Sequence, residues 1–352
     1  MQLAPLRPGS PLLGRLLDEW GVLFEAEVLP RMDPSSRAVL AQVNRAGRDA
    51  VRLPAGLACA GRTVGVPLKL GDFVDSVGRL AWAQTNGCPP EALTRGLVAL
   101  VARGGHLEAL QSVQEHGCPW DGETCVYAAE GGHLEVVEWL IATGANVNYT
   151  RDGSTSLHVA AFEGYVDVVE RLIEAGADVD HTHSDDGSTA LYAAAEQGHL
   201  DVVGLLIGAG ADVDIARTEF GDTPLSVAAR LGHVDIVVRL IAAGADADVE
   251  LTDNGTPLFV AAHYGHTDVV TQLTAAPGVD VNKARTVDGA TPLCAAAYNG
   301  HQGVVERLIT APGVDMNKAD GYGRTPLAVA LQEGHAEVVQ KLRAAGATEP
   351  HG

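Results

Sequence analysis

One stretch of this chain recurs, and the recurrence limits the fold more than any other feature. Thr155–Ser188 opens Thr-Ser-Leu-His-Val-Ala-Ala-Phe-Glu-Gly-Tyr and runs on to Ala-Gly-Ala-Asp-Val-Asp. Parallel copies begin at Thr189, Thr223, Thr256, Thr291 and Thr325, 33 to 35 residues apart. A fixed period of this length marks a supersecondary unit that cannot bury its own apolar face and must stack on copies of itself. The residues in register are Thr-Pro-Leu, Ala-Ala, Gly-His, Val-Val, Leu-Ile and Ala-Gly-Ala-Asp.

Each of these positions has a physical role. Thr223-Pro224 opens a helix, because a hydroxyl can cap it and proline fits the first turn, where its missing N–H costs nothing. Ala228 and Ala229 are small enough to let helices approach closely. Gly232 suits a helix end that needs positive φ. A second helix follows, with Asp235 in its first turn, where negative charge favours the dipole, and Ile236, Val237, Leu240 and Ile241 form its apolar stripe. Gly244 ends it, and Asp186-Gly187 and Asn254-Gly255 read as tight hairpin turns.

This register resembles the ankyrin repeat across most of the chain. The resemblance implies an all-α, ankyrin-type helical solenoid, in which helix pairs joined by short β-hairpin turns follow a small helical N-terminal region, and it implies protein binding. The expected organisation is a flexible lead at 1–11, an F-box-like or capping helical segment at 12–53 and a linker at 54–71. Short degenerate helix pairs then fill 72–123, and repeats fill 124–350, with starts near 124, 155, 189, 223, 256, 291 and 325. Pro277-Gly278 and Pro312-Gly313 should stop a helix and turn the chain. The family's Thr-Pro-Leu-His keeps its histidine only at His158; Tyr192, Ser226, Phe259, Cys294 and Ala328 replace it, so those units are expected to rely on packing.

Composition narrows the partners. The 352 residues carry a net charge of −21, which argues against a nucleic acid held by its phosphates and favours a protein partner with a basic surface or simple solubility. Five cysteines without paired spacing read as reduced thiols, pointing to the cytoplasm or the nucleus. No run of roughly 18 apolar residues is present, so no membrane span is expected. Met1–Leu17 holds Arg7 and Arg15 and no acid, the composition of a transit peptide, but it is proline-rich and not clearly amphipathic.

The segment 12–53 differs from everything after it. Acid and base nearly balance there, whereas nineteen acids face four arginines over 155–255, so the two regions serve different ends. Asp33-Pro34 starts a helix on which Val39, Leu40 and Val43 share a face. The order of an apolar helix, Met32-Asp33-Pro34, then Leu40-Ala41-x-Val43-x-Arg45-x-x-Arg48 resembles the F-box, although Trp20-Gly21 stands where that family opens with Leu-Pro. The resemblance implies docking on a Skp-type adaptor of a cullin-based ubiquitin ligase through Val28, Leu29, Met32, Pro34, Leu40 and Val43. The same helices serve equally as a cap on the solenoid, and both readings stay open. Downstream, Phe73–Ala83 reads as an amphipathic helix, and Gly-Cys-Pro at Cys88 and Cys118 as direct turns between helix pairs.

No phosphate loop, nucleophile elbow or zinc spacing occurs, so no catalytic residue, metal or cofactor is expected and the chain reads as a monomeric, non-enzymatic scaffold. The Gly-His histidines share one phase, which spaces them about 10 Å apart along a stack, too far to share a metal. Each should bond loop backbone instead. His181 and His183 with Asp185 and Asp186 form one weak metal-like cluster, and the hairpin aspartates read as solvated acids or as an acidic docking strip. Recognition should lie where the repeats differ. The two residues before each Gly-His vary most: Phe162-Glu163, Glu196-Gln197, Arg230-Leu231, His263-Tyr264, Tyr298-Asn299 and Gln332-Glu333. By the family's geometry they face the concave side, and the middle of the row should dominate binding, with hairpin-tip residues such as Phe220 adding to it.

Overall fold

Threonine starts the helices. In all six repeats from Thr155 onward the threonine takes an extended backbone. Its Oγ1 accepts the N–H three residues on, at 3.2 to 3.3 Å, whether that residue is His158, Tyr192, Ser226, Phe259, Cys294 or Ala328. The cap is indifferent to the fourth side chain, which explains how that position can vary. These features come from a computed structural model, which describes residues 98–99, 101–115, 120–218, 221–252 and 255–348 and four two-residue strands between 51 and 68. The lead, the F-box-like stretch before Val51, the Phe73–Ala83 helix, Cys88, Cys118 and Phe220 lie outside the described residues.

The chain divides into two units, Met1–Arg151 and Asp152–Gly352. In the first, β1 (Val51–Arg52) pairs antiparallel with β4 (Pro67–Leu68), and β2 (Ala58–Cys59) pairs with β3 (Arg62–Thr63) inside it. Three of these strands fall within 54–71 and β1 just before it, and strands of two residues are too short to show alternation in sequence. Helices α1 (Leu107–Glu115), α2 (Gly122–Glu130) and α3 (Leu134–Ala142) follow. Helix α2 is capped by Asp121 rather than Thr124: each side chain accepts the other's backbone N–H at 3.3 Å.

The second unit holds helix pairs: α4 (Ser156–Glu163) and α5 (Val166–Glu174), α6 (Ala190–Gln197) and α7 (Leu200–Gly208), α8 (Pro224–Leu231) and α9 (Val234–Ala242). Then come α10 (Pro257–Tyr264) and α11 (Thr267–Ala275), α12 (Pro292–Tyr298) and α13 (Gln302–Ile309), α14 (Pro326–Glu333) and α15 (Ala336–Ala344). First helices pack on first helices and second on second, giving two layers. The alanine pairs, such as Ala194-Ala195 and Ala228-Ala229, are fully buried where first helices meet, as are the leucines of Thr-Pro-Leu. Val202, Val203 and Leu206, and likewise Ile236, Val237 and Leu240, fill the space between the layers. Each such leucine contributes about 1.5–3 kcal/mol by burial.

The hairpin aspartates are not simply solvated. Asp180 Oδ1 accepts the Asp212 N–H at 2.9 Å, Asp214 that of Asp246 at 3.0 Å, and Asp248 that of Asp280 at 3.2 Å. Asn282 and Asn317 continue the series to Asp315 (2.7 Å) and Thr348 (2.8 Å). One side chain per repeat thus ties each hairpin to the next, a use that neither sequence reading of these acids included.

Candidate protein-binding face

The variable pairs occupy the ends of the first helices. Phe162-Glu163, Glu196-Gln197, Arg230-Leu231 and His263-Tyr264 are the last two residues of α4, α6, α8 and α10. Helix α12 stops one residue earlier, so Tyr298 ends it and Asn299 is its C-cap. Glu163 and Gln197 are exposed, and Glu196, Arg230, His263 and Asn299 are half-buried. The apolar members stand out into solvent: Tyr264 is 53% exposed, Tyr298 49%, Phe162 41% and Leu231 40%.

The shared Gly-His residues hold this variable row in place. Each histidine reaches back to the preceding repeat and bonds the carbonyl of the first residue of its pair. His199 Nε2 meets Phe162 O at 3.0 Å, His233 meets Glu196 O at 3.3 Å, and His266 meets Arg230 O at 2.9 Å. His301 meets His263 O and His335 meets Tyr298 O, both at 2.9 Å. These bonds satisfy carbonyls that a helix end leaves free. In the first unit His133 does the same to Arg103 O at 2.8 Å. The expected loop-backbone bond is therefore a bond between repeats.

Side chains in the row also touch. Asn299 Nδ2 lies 3.1 Å from His263 Nδ1, and Arg230 lies 3.9 Å from Glu196. His263 stacks parallel to Phe259, with centroids 6.4 Å apart, and meets Tyr264 edge-on at 5.0 Å. Burial, followed by the charges of Arg285 and His301, lowers the His263 pKa, so its ring stays neutral at pH 7.

Arginines among the variable hairpin-tip residues make ring contacts that the sequence reading did not include. Arg151 lies over the Tyr127 ring at 4.1 Å, Arg217 over Tyr192 at 5.3 Å and Arg285 over Phe259 at 4.9 Å, a cation–π arrangement between a hairpin and the first helix of the repeat before it. Asp288 holds Arg285 in place, with Nε to Oδ1 at 3.0 Å. The signal was legible: Arg217 and Arg285 stand six residues before the next threonine, and only in repeats whose fourth residue is Tyr192 or Phe259. Hairpin residues Val287 and Tyr322 are also largely exposed.

Among the described residues, no group of three or more His, Cys, Asp or Glu side chains is placed to hold a metal ion. His183 instead sits 3.4 Å from Asp186 and 3.2 Å from the Asp185 N–H, with its ring 5.5 Å from His158. Burial pulls the Asp186 pKa up, but the Ser188 hydroxyl and N–H, His183 and Arg217 outweigh it and bring the pKa below the usual value. Cys125 is buried, and Cys294 is a buried free thiol. Among the described residues no helix is long and apolar enough to cross a membrane.

Comparison with known proteins bears on the repeats. A family model described as ankyrin repeats (3 copies) matches residues 97–183, 191–284 and 258–350. The crystal structure of the human ASB11 ankyrin repeat domain is similar at 29% identity and a TM-score of 0.56, covering 64% of this chain and 98% of that one. No curated protein matches the sequence. With threonine caps, stacked helix pairs and a family model spanning well over half its length, the chain belongs to the ankyrin repeat family.

Proposed function

We propose that the protein is a non-catalytic interaction scaffold that holds a protein partner along the concave ends of its first helices and on its hairpin tips. The family's repeats are interaction modules. The observation that carries the placement is the contrast within each pair, where the backbone is clamped by the next repeat's histidine while the side chains differ and Phe162, Leu231, Tyr264 and Tyr298 stand exposed. Preorganised aromatics lose little entropy on binding. The charge of −21 favours a basic partner surface, and the chain acts as a monomer in the cytoplasm or the nucleus. Capture with the full-length chain as bait tests this. Tyr264→Ala with Tyr298→Ala should weaken the captured partner at least tenfold, and unchanged affinity would refute the placement.

A sharper reading makes the protein a substrate receptor for a cullin-type ubiquitin ligase, supported by the F-box-like order around Met32-Asp33-Pro34. Co-precipitation of a Skp-type adaptor by the full chain, abolished by Leu29→Asp with Leu40→Asp, supports it. Without co-precipitation the reading of the N-terminal segment as a cap on the solenoid is favoured instead.

A further inference from the structure

We propose that the partner segment held on the concave row is an uncharged, proline-rich stretch in the polyproline II conformation, flanked by basic residues. This rests on the scaffold reading above and assigns the chemical class of what the scaffold holds.

The exposed apolar side chains form a track with one member per repeat. Leu231, Tyr264, Tyr298 and Leu331 come from four successive first helices, α8, α10, α12 and α14, and all four are exposed. Helices stacked in a layer lie about 8–10 Å apart. A ligand backbone that meets every member must return to the same face at about that interval. A polyproline II helix does so every third residue, at about 9.3 Å. A β-strand does so every second residue, at about 6.8 Å, and falls out of step. An α-helix does so after seven residues, at about 10.5 Å, so the period alone does not separate it.

Hydrogen bonding does. An α-helix satisfies its carbonyls internally, whereas a polyproline II backbone keeps every carbonyl open. Tyr264 and Tyr298 each bring a hydroxyl donor next to an exposed apolar ring. Prolines can lie on the rings while the neighbouring carbonyls accept from the hydroxyls. The ligand conformation is already formed in solution, which lowers the entropy lost on binding.

Charge agrees with this class. The variable pairs from Glu196 to Asn299 carry no net charge. Glu196 and Arg230 offset each other at 3.9 Å, and His263 is neutral, with its Nδ1 accepting the Asn299 amide at 3.1 Å. In a chain of net charge −21 such a stretch suits an uncharged segment. Acids stand at its two ends instead. Glu163 beside Phe162 and Glu333 on α14 are both exposed, and Glu333 accepts the neutral Gln332 amide at 3.2 Å. Basic residues on both flanks of the proline stretch would face these carboxylates in either chain direction.

The test titrates full-length protein against fluorescent synthetic peptides and reads anisotropy. The probe is Pro-Ala-Gln repeated four times, with two lysines at each end. One control has the same composition with the prolines moved off the common face. The other is a helix-forming peptide with leucines seven residues apart. The probe should bind saturably and both controls at least tenfold more weakly. Tyr264→Ala with Tyr298→Ala should weaken the probe at least tenfold, and Tyr264→Phe with Tyr298→Phe about threefold, with circular dichroism and thermal unfolding unchanged. Removing the lysines should cost at least threefold in the parent chain and nothing once Glu163→Gln and Glu333→Gln are both in place. No saturable binding, equal binding of the rearranged peptide, tighter binding of the helical one, or a lysine gain that ignores both acids overturns the proposal. If the probe fails while Tyr264→Ala with Tyr298→Ala still loses the captured partner, the proline class falls and the scaffold placement stands. If the probe binds that double variant as tightly as the parent, the placement on the two tyrosines falls with it.

Discussion

Gly232 and Gly334 occupy the same position in different repeats and should respond differently to alanine. Both are left-handed, at φ +79° and +78°. A side chain there costs about 1–2 kcal/mol in backbone strain at either site. A Cβ at Gly232 would lie 2.6 Å from His266 Nδ1, whereas one at Gly334 would meet nothing within 4 Å. Gly232→Ala must therefore also displace His266 from Arg230 O, a 2.9 Å bond. Losing that bond adds about 0.5–1.5 kcal/mol. The expected totals are about 1.5–3.5 kcal/mol for Gly232→Ala and about 1–2 for Gly334→Ala. A repeat array can open locally, so the assay is hydrogen exchange at the Val269, Val270 and Leu273 amides rather than a global melt. In a His266→Ala background the excess at Gly232 should vanish, as a double-mutant cycle requires. Equal costs at the two glycines, or an excess that survives removal of His266, would refute the claim that the histidine ladder couples neighbouring repeats.

The remaining expectations follow from the same structure. The folded state holds His158 near pKa 4 against 6.5 when free, chiefly by burial and then by His183, with Asp186 opposing and His181 adding to the effect. Between those values the unfolded chain binds a proton that the folded chain refuses, so stability should fall by about 3 kcal/mol as pH drops from 6.5 to 4. His158→Phe should flatten that slope in thermal unfolding measured across the range. Asp214→Ala removes the acceptor for the Asp246 N–H and should cost about 1 kcal/mol in urea unfolding, while Asp214→Asn should restore most of it. Leu240→Ala empties a fully buried site between the layers and should cost about 2–5 kcal/mol in the same assay.

Much of the fold was legible because it is locally encoded. Threonine followed by proline at a helix start and glycine at a helix end each act within one turn of chain, the 33-to-35-residue period repeats them, and the helices lie where those residues place them. The variable pairs were legible as positions but not as surroundings. Nothing near His199 in sequence indicates that it bonds Phe162 O, because the two are 37 residues apart and meet only when repeats stack. The aspartate ladder spans 32 residues for the same reason. The short strands before Leu68 gave no periodic signal, since pairing of two residues is a contact between segments and not a pattern within one. By itself, then, the sequence determined the repeat, its caps and its polarity, all properties of neighbouring residues. The tertiary structure alone decided which carbonyl each histidine clamps and which ring each arginine covers, because these depend on how one segment is packed onto the next.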